Sequence, residues 1–310
     1  MKQWVALAAI SVVLAACGID ESARGAAKAV AEFPVPEGTW VQEAMIPSRG
    51  VSIPVTMVIP PRRAELALPL VVLIHGHGGT REEAGGFTRV AAELAARGIV
   101  SIRMDFPGCG DSTESFRQNN LTNMKADVRA AQSYVQQWVN LNPARVGVVG
   151  FSMGGRLAVE LSREGERYAA MVLWAPAIDN GVDNMVKMLG GEERYREMKA
   201  KAKADGFAPF TTFWGQEQQL GTEWFADLEA SRALDGIERY TGSLLLIHGL
   251  QDSVVPPVVS RRAEVAASRA ARVQLLEIES ADHGFGLFDD RYVIVDELVS
   301  ATVQFLADEL

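Results

Sequence analysis

The sequence predicts an α/β protein built on a doubly wound, mostly parallel sheet, with a helical cap inserted into it. From residue 70 onward, short apolar runs alternate with segments of helical spacing. Such runs are typical of strands buried on both faces of a parallel sheet, and the alternation predicts helices on both sides of it. Between residues 178 and 240 no strand is evident. A connection of that length is too long for a plain loop, so we expect a helical cap there.

A hairpin is predicted ahead of this sheet, with strands at residues 40–46 and 51–59 joined around Ser48-Arg49-Gly50. The buried strands that follow are predicted at residues 70–74, 99–104, 146–149, 170–174, 244–247 and 273–278. Helices are predicted at residues 87–97, 124–140, 153–164, 258–271 and 292–310. Ligands bind beyond the carboxyl ends of parallel strands, so we expect functional residues in the loops at those ends.

The first 16 residues resemble a signal peptide and not a part of the fold. Lys2 gives a positive start, and residues 4–16 are apolar apart from Ser11, a run too short for a membrane-spanning helix. The run ends in Leu14-Ala15-Ala16-Cys17, which resembles the lipobox of bacterial lipoproteins, where the peptide is cut before the cysteine and the thiol is lipidated. We therefore expect lipidation at Cys17. An ordinary secretory signal with an incidental cysteine is the alternative.

The residues after Cys17 give the expected domain boundaries and location. Gly18, not aspartate, follows the cysteine, which resembles the pattern of lipoproteins sent to the outer membrane of Gram-negative bacteria. Residues 17–37 are rich in Ala, Gly and charge and are predicted to be a tether. The folded domain is then expected over residues 38–310, with its cap at about 178–240. The expected location is the cell envelope, at the outer membrane or facing the periplasm, with the lipid as the only membrane contact.

Composition disfavours some functions and leaves others open. The chain has 310 residues, about half of them apolar, and a formal net charge of −9, so nucleic-acid binding finds no electrostatic support. With Cys17 lipidated, Cys109 has no partner in the chain, and no disulfide is expected. We expect Cys109 to be an inert, small packing residue. The oligomeric state stays open.

A predicted strand at residues 145–149 leads into Gly150-Phe151-Ser152-Met153-Gly154-Gly155, and a helix follows. A serine on such a sharp strand-to-helix turn projects its hydroxyl above the sheet, and glycines on either side let neighbouring backbone pass close to the bend. The helix N-terminus offers positive potential to a developing oxyanion. We therefore predict Ser152 as a nucleophile; a glycine-rich turn with a capping serine is the alternative.

The first buried strand leads into His75-Gly76-His77-Gly78-Gly79, which we call the oxyanion loop. The backbone N–H groups of His77 and Met153 are expected to hold the carbonyl oxygen of a substrate. The imidazole of His77 either lines the acyl pocket or is solvated, and we expect little direct catalysis from it. His75 is expected to shape the loop through hydrogen bonds.

A serine nucleophile needs a histidine base that a carboxylate holds in one tautomer. His283 follows the last predicted strand, and Asp252 lies in the loop after the strand before it, so we predict His283 as the base and Asp252 as the orienting acid. Asp179 follows another strand end and is the alternative acid. His248 is expected to be structural, and Asp282 to form the loop beside His283.

From about residue 66 onward, the chain resembles α/β-hydrolases of the cinnamoyl/feruloyl esterase and related carboxylesterase kind. The order Ser152, Asp252, His283 agrees with this resemblance. The other segments that carry it are the oxyanion loop, Asp105-Phe106-Pro107-Gly108-Cys109-Gly110-Asp111-Ser112, Asp252-Ser253-Val254-Val255-Pro256 and Asp282-His283. The resemblance implies the α/β-hydrolase fold and hydrolysis of a small-molecule ester through an acyl-enzyme, without a cofactor or metal. Cys109, where these esterases often carry histidine, and the lipoprotein N-terminus are departures that leave the substrate open.

Two other functions remain possible from the sequence: a serine peptidase of the same fold, and a binding protein without catalysis. The aromatic residues at 210–225 either stack on an aromatic acyl group or form the core of the cap. The charged run at 192–204 is expected to be a solvated helix face, which argues weakly against a lipase lid.

Overall fold

The computed structural model of the protein describes residues 33–61, 67–289 and 291–310, with the exception of the Asn184 side chain. The expected signal peptide, the lipidation at Cys17 and most of the expected tether lie outside these residues. Within the described ranges, no helix combines the length and the apolar character that crossing a membrane requires.

Among the described residues, eight strands form the central sheet, and two more form a separate hairpin. In chain order the strands are β1 (Trp40–Ser48), β2 (Val51–Ile59), β3 (Leu68–Ile74), β4 (Val100–Met104), β5 (Leu141–Phe151), β6 (Ala170–Trp174), β7 (Phe207–Thr211), β8 (Glu217–Gly221), β9 (Ser243–Gly249) and β10 (Arg272–Ile278). Across the sheet the order is β1-β2-β4-β3-β5-β6-β9-β10. Within this sheet, β1 pairs antiparallel with β2, and β2 pairs antiparallel with β4. The strands β4, β3, β5, β6, β9 and β10 pair in parallel. The predicted doubly wound, mostly parallel sheet is therefore confirmed.

Helices cover both faces of the sheet. They are α1 (Gly86–Ala96), α2 (Leu121–Val135), α3 (Met153–Arg163), α4 (Asp183–Met188), α5 (Glu192–Asp205), α6 (Thr222–Ala230), α7 (Ala233–Arg239), α8 (Val258–Ala266) and α9 (Tyr292–Glu309). Helices α1 and α9 pack into one apolar core, and α2, α3 and α8 into the other. Along β3, Leu70 and Val72 enter one core while Val71 and Leu73 enter the other. Burial on both faces explains why this strand is apolar throughout.

The segment between β6 and β9 forms the cap. It is helical as predicted, with α4 to α7, but it also contains the antiparallel pair β7–β8. The expectation of a segment without strands was therefore wrong. The sequence of β8, Glu217–Gly221, has no alternation of apolar and polar residues, and β7 contains Pro209, so neither strand carries the usual signal. We call β7, β8 and the connecting residues 212–216 the cap hairpin.

Candidate active site

Ser152 lies on the turn between β5 and α3, at the carboxyl edge of the sheet. Its backbone has φ +51° and ψ −112°, a strained conformation for a residue with a side chain. Two hydrogen bonds hold Ser152 in this conformation. The Ser152 N–H donates to the Trp174 carbonyl at 2.8 Å, and the Gly155 N–H donates to the Ser152 carbonyl at 3.0 Å. The predicted strand, sharp turn and helix are all present, and they hold the hydroxyl above the sheet.

Close packing of the backbone around this turn explains two of its glycines. A Cβ at Gly154 would overlap the carbonyl oxygen of Ile74, and one at Gly150 would lie 2.5 Å from the carbonyl oxygen of Gly154. Both separations are too short for a side chain, so β5 and α3 reach this geometry only with glycine at the two positions.

The structure joins Ser152, His283 and Asp252 in one chain of hydrogen bonds. Nε2 of His283 lies 3.1 Å from Ser152 Oγ, and Nδ1 of the same ring lies 2.7 Å from Asp252 Oδ2. His283 comes from the loop between β10 and α9, and Asp252 from the loop after β9. The Phe151 ring lies against the imidazole, with 5.1 Å between centroids. This arrangement can pass a proton from the serine hydroxyl to the imidazole while the carboxylate holds the ring.

Three hydrogen bonds and one further polar contact surround the carboxylate of Asp252. Oδ1 accepts from the backbone N–H groups of Val254 and Val255, both at 2.8 Å. Oδ2 lies 2.7 Å from His283 Nδ1 and 3.2 Å from His248 Nε2. Burial by itself would raise the pKa of Asp252, but the donors outweigh it, those of His248 and His283 first, and lower the pKa to about 2. The group is therefore an anion at neutral pH.

His248 is a buried histidine whose link to Asp252 the sequence analysis did not identify. Its Nε2 lies 2.9 Å from the carbonyl oxygen of Val255, and its Nδ1 lies 2.6 Å from Ser260 Oγ. Because a carbonyl only accepts, Nε2 must carry the hydrogen, and a neutral ring then receives the Ser260 hydroxyl at Nδ1. The same nitrogen lies 3.2 Å from Asp252 Oδ2, so this ring contacts the acid as well as the loop.

The other carboxylates near the site have different partners. Asp179, the alternative acid, forms an ion pair with Arg262, whereas the carboxylate bonded to His283 is that of Asp252. Asp282 accepts the Gly284 N–H at 3.0 Å and pairs with Arg291. The geometry therefore favours Asp252 as the carboxylate that orients the imidazole.

His75 links the oxyanion loop to the loop after β4. Its Nδ1 lies 2.7 Å from the Gly76 carbonyl oxygen, and its Nε2 accepts the Phe106 N–H at 3.2 Å. Complete burial lowers the pKa of His75. The ring is therefore a neutral tautomer with hydrogen on Nδ1, and it shapes the loop as expected.

Glu83 is a second support of the oxyanion loop, and the sequence analysis missed it. Its Oε2 accepts the Gly76 N–H at 2.8 Å, and its side chain is buried. Both Glu83 and Ala84 have positive φ, +43° and +51°. Burial raises the pKa of Glu83 to about 7, against the opposing effect of the Gly76 N–H. The run Thr80-Arg81-Glu82-Glu83 is typical of a solvated loop, so no sequence pattern predicted that the Glu83 carboxyl would be buried.

Of the two predicted oxyanion donors, His77 lines the same cavity as Ser152, and Met153 is the next residue in the chain. Among the described residues, no acceptor receives the backbone N–H of His77 or of Met153, which leaves both amides available to a ligand. The imidazole of His77 is half-buried, and its Nε2 lies 2.8 Å from Gln218 Oε1 in the cap hairpin. Burial lowers the pKa of His77 to about 4, so the ring is neutral at physiological pH.

A cavity of about 430 Å³ opens above Ser152 and His283. Its wall is largely apolar and includes Phe151, Met185, Met188, Phe213, Trp214, Val254 and Phe288. The cap aromatics divide between two places. Phe213 and Trp214, at the tip of the cap hairpin, line the cavity, whereas Trp224 and Phe225 on α6 are buried in the core.

The Cys109 thiol is buried, and its burial raises the pKa to about 12. Within the described ranges, no three His, Cys, Asp or Glu side chains lie close enough together to hold a metal ion.

The fold and this site together define a hydrolase: a serine, a histidine and a carboxylate in relay at the carboxyl edge of a doubly wound sheet, beneath a cap. The chain belongs to the alpha/beta hydrolase family, whose model matches residues 71–297. It is 30% identical over 122 residues to the quorum-quenching protein AidA of Acinetobacter baumannii. That match covers 39% of this chain and 40% of AidA, so the chain spans about two fifths of the length of this curated relative.

Two solved esterases share the fold. Est1E from Butyrivibrio proteoclasticus, with ferulic acid bound, superposes with a TM-score of 0.70 and 20% identity, over 86% of this chain and 98% of Est1E. The esterase domain of a Rhodothermus marinus protein superposes with a TM-score of 0.62 and 16% identity, over 87% of this chain and 98% of that domain. At these identities the likeness concerns the fold alone.

Proposed function

We propose that this protein is a serine carboxylester hydrolase that acts through an acyl-enzyme on esters of short-chain or aromatic acids. The observation that carries the proposal is the unbroken hydrogen-bond chain from Ser152 Oγ through His283 to Asp252. A serine hydroxyl is a weak nucleophile at neutral pH unless a base receives its proton, and this chain supplies the base.

In the first half of the proposed reaction, Ser152 Oγ attacks the ester carbonyl carbon and its proton passes to His283 Nε2. The Asp252 carboxylate stabilises the imidazolium through the hydrogen on Nδ1. The developing oxyanion accepts hydrogen bonds from the N–H groups of His77 and Met153. Collapse of the tetrahedral intermediate breaks the ester bond, and the departing alcohol takes the proton from His283.

In the second half, water attacks the acyl-enzyme while His283 takes one of its protons. The second tetrahedral intermediate collapses, the carboxylic acid leaves, and Ser152 regains its hydrogen. This reaction uses the described side chains, the two backbone N–H groups and water.

The character of the cavity supports the choice of acyl group. Its volume of about 430 Å³ and its apolar wall suit a small acyl or aryl chain. Met188 and Trp214 offer soft and aromatic surface that can pack against a ring. Est1E, which was solved with ferulic acid, has the same fold. This likeness supports esters of aromatic acids among the candidate substrates of this protein.

The experiment that tests the proposal is turnover of p-nitrophenyl esters of rising chain length and of methyl ferulate. We expect highest kcat/KM with short or aromatic acyl groups, and loss of activity by about 10⁴-fold or more in Ser152→Ala. Ser253→Ala is the matched control, because Ser253 lines the same cavity outside the relay. Undiminished turnover in Ser152→Ala would refute the proposal, and a preference for long acyl chains would indicate a lipase. Faster cleavage of a matched aminoacyl amide would indicate a peptidase.

We also propose that Cys17 carries a lipid and anchors the protein in the cell envelope. The sequence Leu14-Ala15-Ala16-Cys17 after an apolar run supports this proposal. We expect metabolic labelling with a palmitate analogue in the full chain and none in Cys17→Ser, with Cys109→Ser as the control. Equal labelling of the full chain and Cys17→Ser would contradict the proposal.

A further inference from the structure

The cap hairpin touches the oxyanion loop through a specific pair of side chains. Nε2 of His77 lies 2.8 Å from Gln218 Oε1, and because an amide oxygen only accepts, the hydrogen must be on Nε2. The edges of the His77 ring contact Phe116 and Trp224, with centroids 5.4 and 6.0 Å away. The imidazole is therefore fixed on several sides, with the hairpin as its hydrogen-bond partner.

Further hydrogen bonds hold the Gln218 amide in this orientation. Its Nε2 donates to Gln216 Oε1 at 3.0 Å, and the same oxygen accepts the Trp214 indole N–H at 3.2 Å. The Gln216 backbone N–H donates to Thr212 Oγ1 at 2.9 Å. A chain of hydrogen bonds thus runs from the tip of the hairpin to the ring of His77, and a buried amide with both ends engaged has little freedom to rotate.

Gly78 provides a second, steric contact between the same two parts. Its φ is +70°, and a Cβ built on it would overlap Gln216 Oε1 and lie 2.6 Å from Gln218 Nε2. The two glutamines therefore pack directly on the backbone that follows His77. Contact through both the ring of His77 and the backbone of Gly78 restrains the segment that carries the His77 N–H, the proposed oxyanion donor.

We propose that Gln218, held by Gln216, is a positioning residue that sets the place of the His77 N–H, so that the cap hairpin controls the rate of the reaction. This inference rests on the proposed ester hydrolysis. The tip of the hairpin carries Trp214, which lines the cavity and donates to Gln216. An acyl group in contact with Trp214 therefore acts on the same chain of hydrogen bonds, and the choice of acyl group affects kcat as well as KM.

Gln218→Met tests the proposal, because methionine keeps the length of the side chain and removes both hydrogen bonds. Gln219→Met is the matched control: Gln219 is the next residue of β8, and its Oε1 accepts from Arg117 Nε at 2.6 Å instead of reaching the oxyanion loop. Kinetics with p-nitrophenyl acetate give kcat and KM. The affinity for a trifluoromethyl ketone, which forms a tetrahedral adduct with an active serine, reports the oxyanion site separately.

Loss of a whole oxyanion donor lowers kcat by about 10²–10³-fold, so a displaced donor is expected to lower it by about 10-fold. We expect this fall in Gln218→Met with KM within about 2-fold of wild type, an equal fall in affinity for the ketone, and wild-type values in Gln219→Met. A change in KM alone, or unchanged kcat and ketone affinity, would overturn the proposal. If Gln218→Met folds poorly, Gln216→Met is the second variant. Gln216 is half-buried, and its replacement breaks the same chain of hydrogen bonds at the other end.

Failure of this inference can be distinguished from failure of the proposed function. If the wild-type chain cleaves no ester and a fluorophosphonate does not label Ser152, the hydrolase proposal itself is wrong. If the wild type is active and labelled while Gln218→Met and Gln216→Met match it in kcat and in ketone affinity, only the role of the cap hairpin is wrong.

Discussion

His248 Nε2 lies 3.2 Å from Asp252 Oδ2, the carboxylate oxygen that also faces His283 Nδ1 at 2.7 Å. Two histidines therefore share one oxygen of the acid. Only His283 continues to Ser152, because the other nitrogen of His248 faces Ser260. His248 therefore supports Asp252 without contacting the substrate.

Replacing His248 by phenylalanine is expected to weaken the acid without removing it. The change keeps a ring of similar size, but it removes one donor to Asp252 and leaves the Val255 carbonyl without the N–H that it accepts. We expect kcat for a p-nitrophenyl ester to fall by about 10-fold, and stability to fall by about 1–3 kcal/mol for the unpaired buried groups. Ester kinetics and urea denaturation measure the two effects. Unchanged kcat in a folded variant would show that His248 serves the loop alone.

Asp252→Asn is expected to be far more damaging. Oδ1 accepts two backbone N–H groups, so the asparagine oxygen will occupy that side and its NH₂ will face His283 Nδ1. The ring must then accept at Nδ1 and carry its hydrogen on Nε2, where it cannot receive the Ser152 proton. We expect kcat to fall by about 10⁴-fold, with little change in the circular dichroism spectrum. A fall of less than about 10-fold would contradict the proposed role of Asp252.

Glu83→Gln is expected to change how stability depends on pH. Burial raises the pKa of Glu83 from its ordinary value of 4.5 to about 7 in the folded protein. Between these values the folded protein keeps a proton that the unfolded chain has lost, so Glu83 makes stability fall as pH rises, by about 3 kcal/mol in total. Glutamine can still accept the Gly76 N–H and has no such dependence.

Urea denaturation from pH 4.5 to 8 measures this difference. Relative to wild type, Glu83→Gln should gain free energy of unfolding as pH rises and reach a constant gain above about pH 7. Glu37→Gln, at an exposed position, is the control and should follow wild type. Parallel curves for Glu83→Gln and wild type would mean that Glu83 titrates as an exposed carboxyl does.

Gly78→Ala and Gly181→Ala form a matched pair. Both glycines have φ +70°, but only Gly78 has atoms of Gln216 and Gln218 where a Cβ would lie, since nothing is within 4 Å at Gly181. The left-handed backbone costs each alanine about 1 kcal/mol, so Gly181→Ala should lose that much stability and keep its activity. Gly78→Ala should lose more stability and at least about 10-fold in kcat, because the added methyl displaces the oxyanion loop or the hairpin. Equal losses in the two variants would show that the hairpin does not press on the loop.

Cys109 is expected to resist alkylation in the folded protein. Its thiol is 2% exposed, and burial raises its pKa to about 12, so very little thiolate is present at pH 8. Treatment with iodoacetamide followed by peptide mass spectrometry should find Cys109 unmodified in the native protein and fully modified after unfolding in urea. Rapid labelling of the native protein would contradict this burial.

The sequence predicted the sheet and the placement of Ser152, Asp252 and His283 because each follows an apolar run that forms a strand of the parallel sheet. The strands before Ser152 and Asp252 end in buried residues, whereas β10, before His283, is an edge strand with only one fully buried residue. Parallel strands end at one edge, so positions 100 and 31 residues apart converge there. The contact between His248 and Asp252 could be predicted in part, since the two residues lie four positions apart at the end of the same strand. Which group each nitrogen of the His248 ring would face could not be predicted from the sequence.

Other features of the site left no signal in the sequence. Gln218 contacts His77 across 141 residues, and the polar run Glu217-Gln218-Gln219 resembles a surface loop. Glu83 lies among polar residues, and its burial arises from the way that the oxyanion loop folds over it. Phe213 and Trp214 differ from Trp224 and Phe225 only in position: the first pair precedes Gly215 in a turn and the second pair lies on a helix, which composition does not distinguish.

The bond between His77 and Gln218 has a consequence for exchanging parts among hydrolases of this family. Residues 178–240 form a continuous insertion, which makes them an attractive cassette for transplanting substrate preference. A foreign cassette that lacks an acceptor opposite position 77 would leave the His77 Nε2–H unpaired and the loop before Gly78 unsupported. Chimeras should therefore lose kcat before they lose affinity for the substrate, unless the residues at 77 and 218 are transferred together.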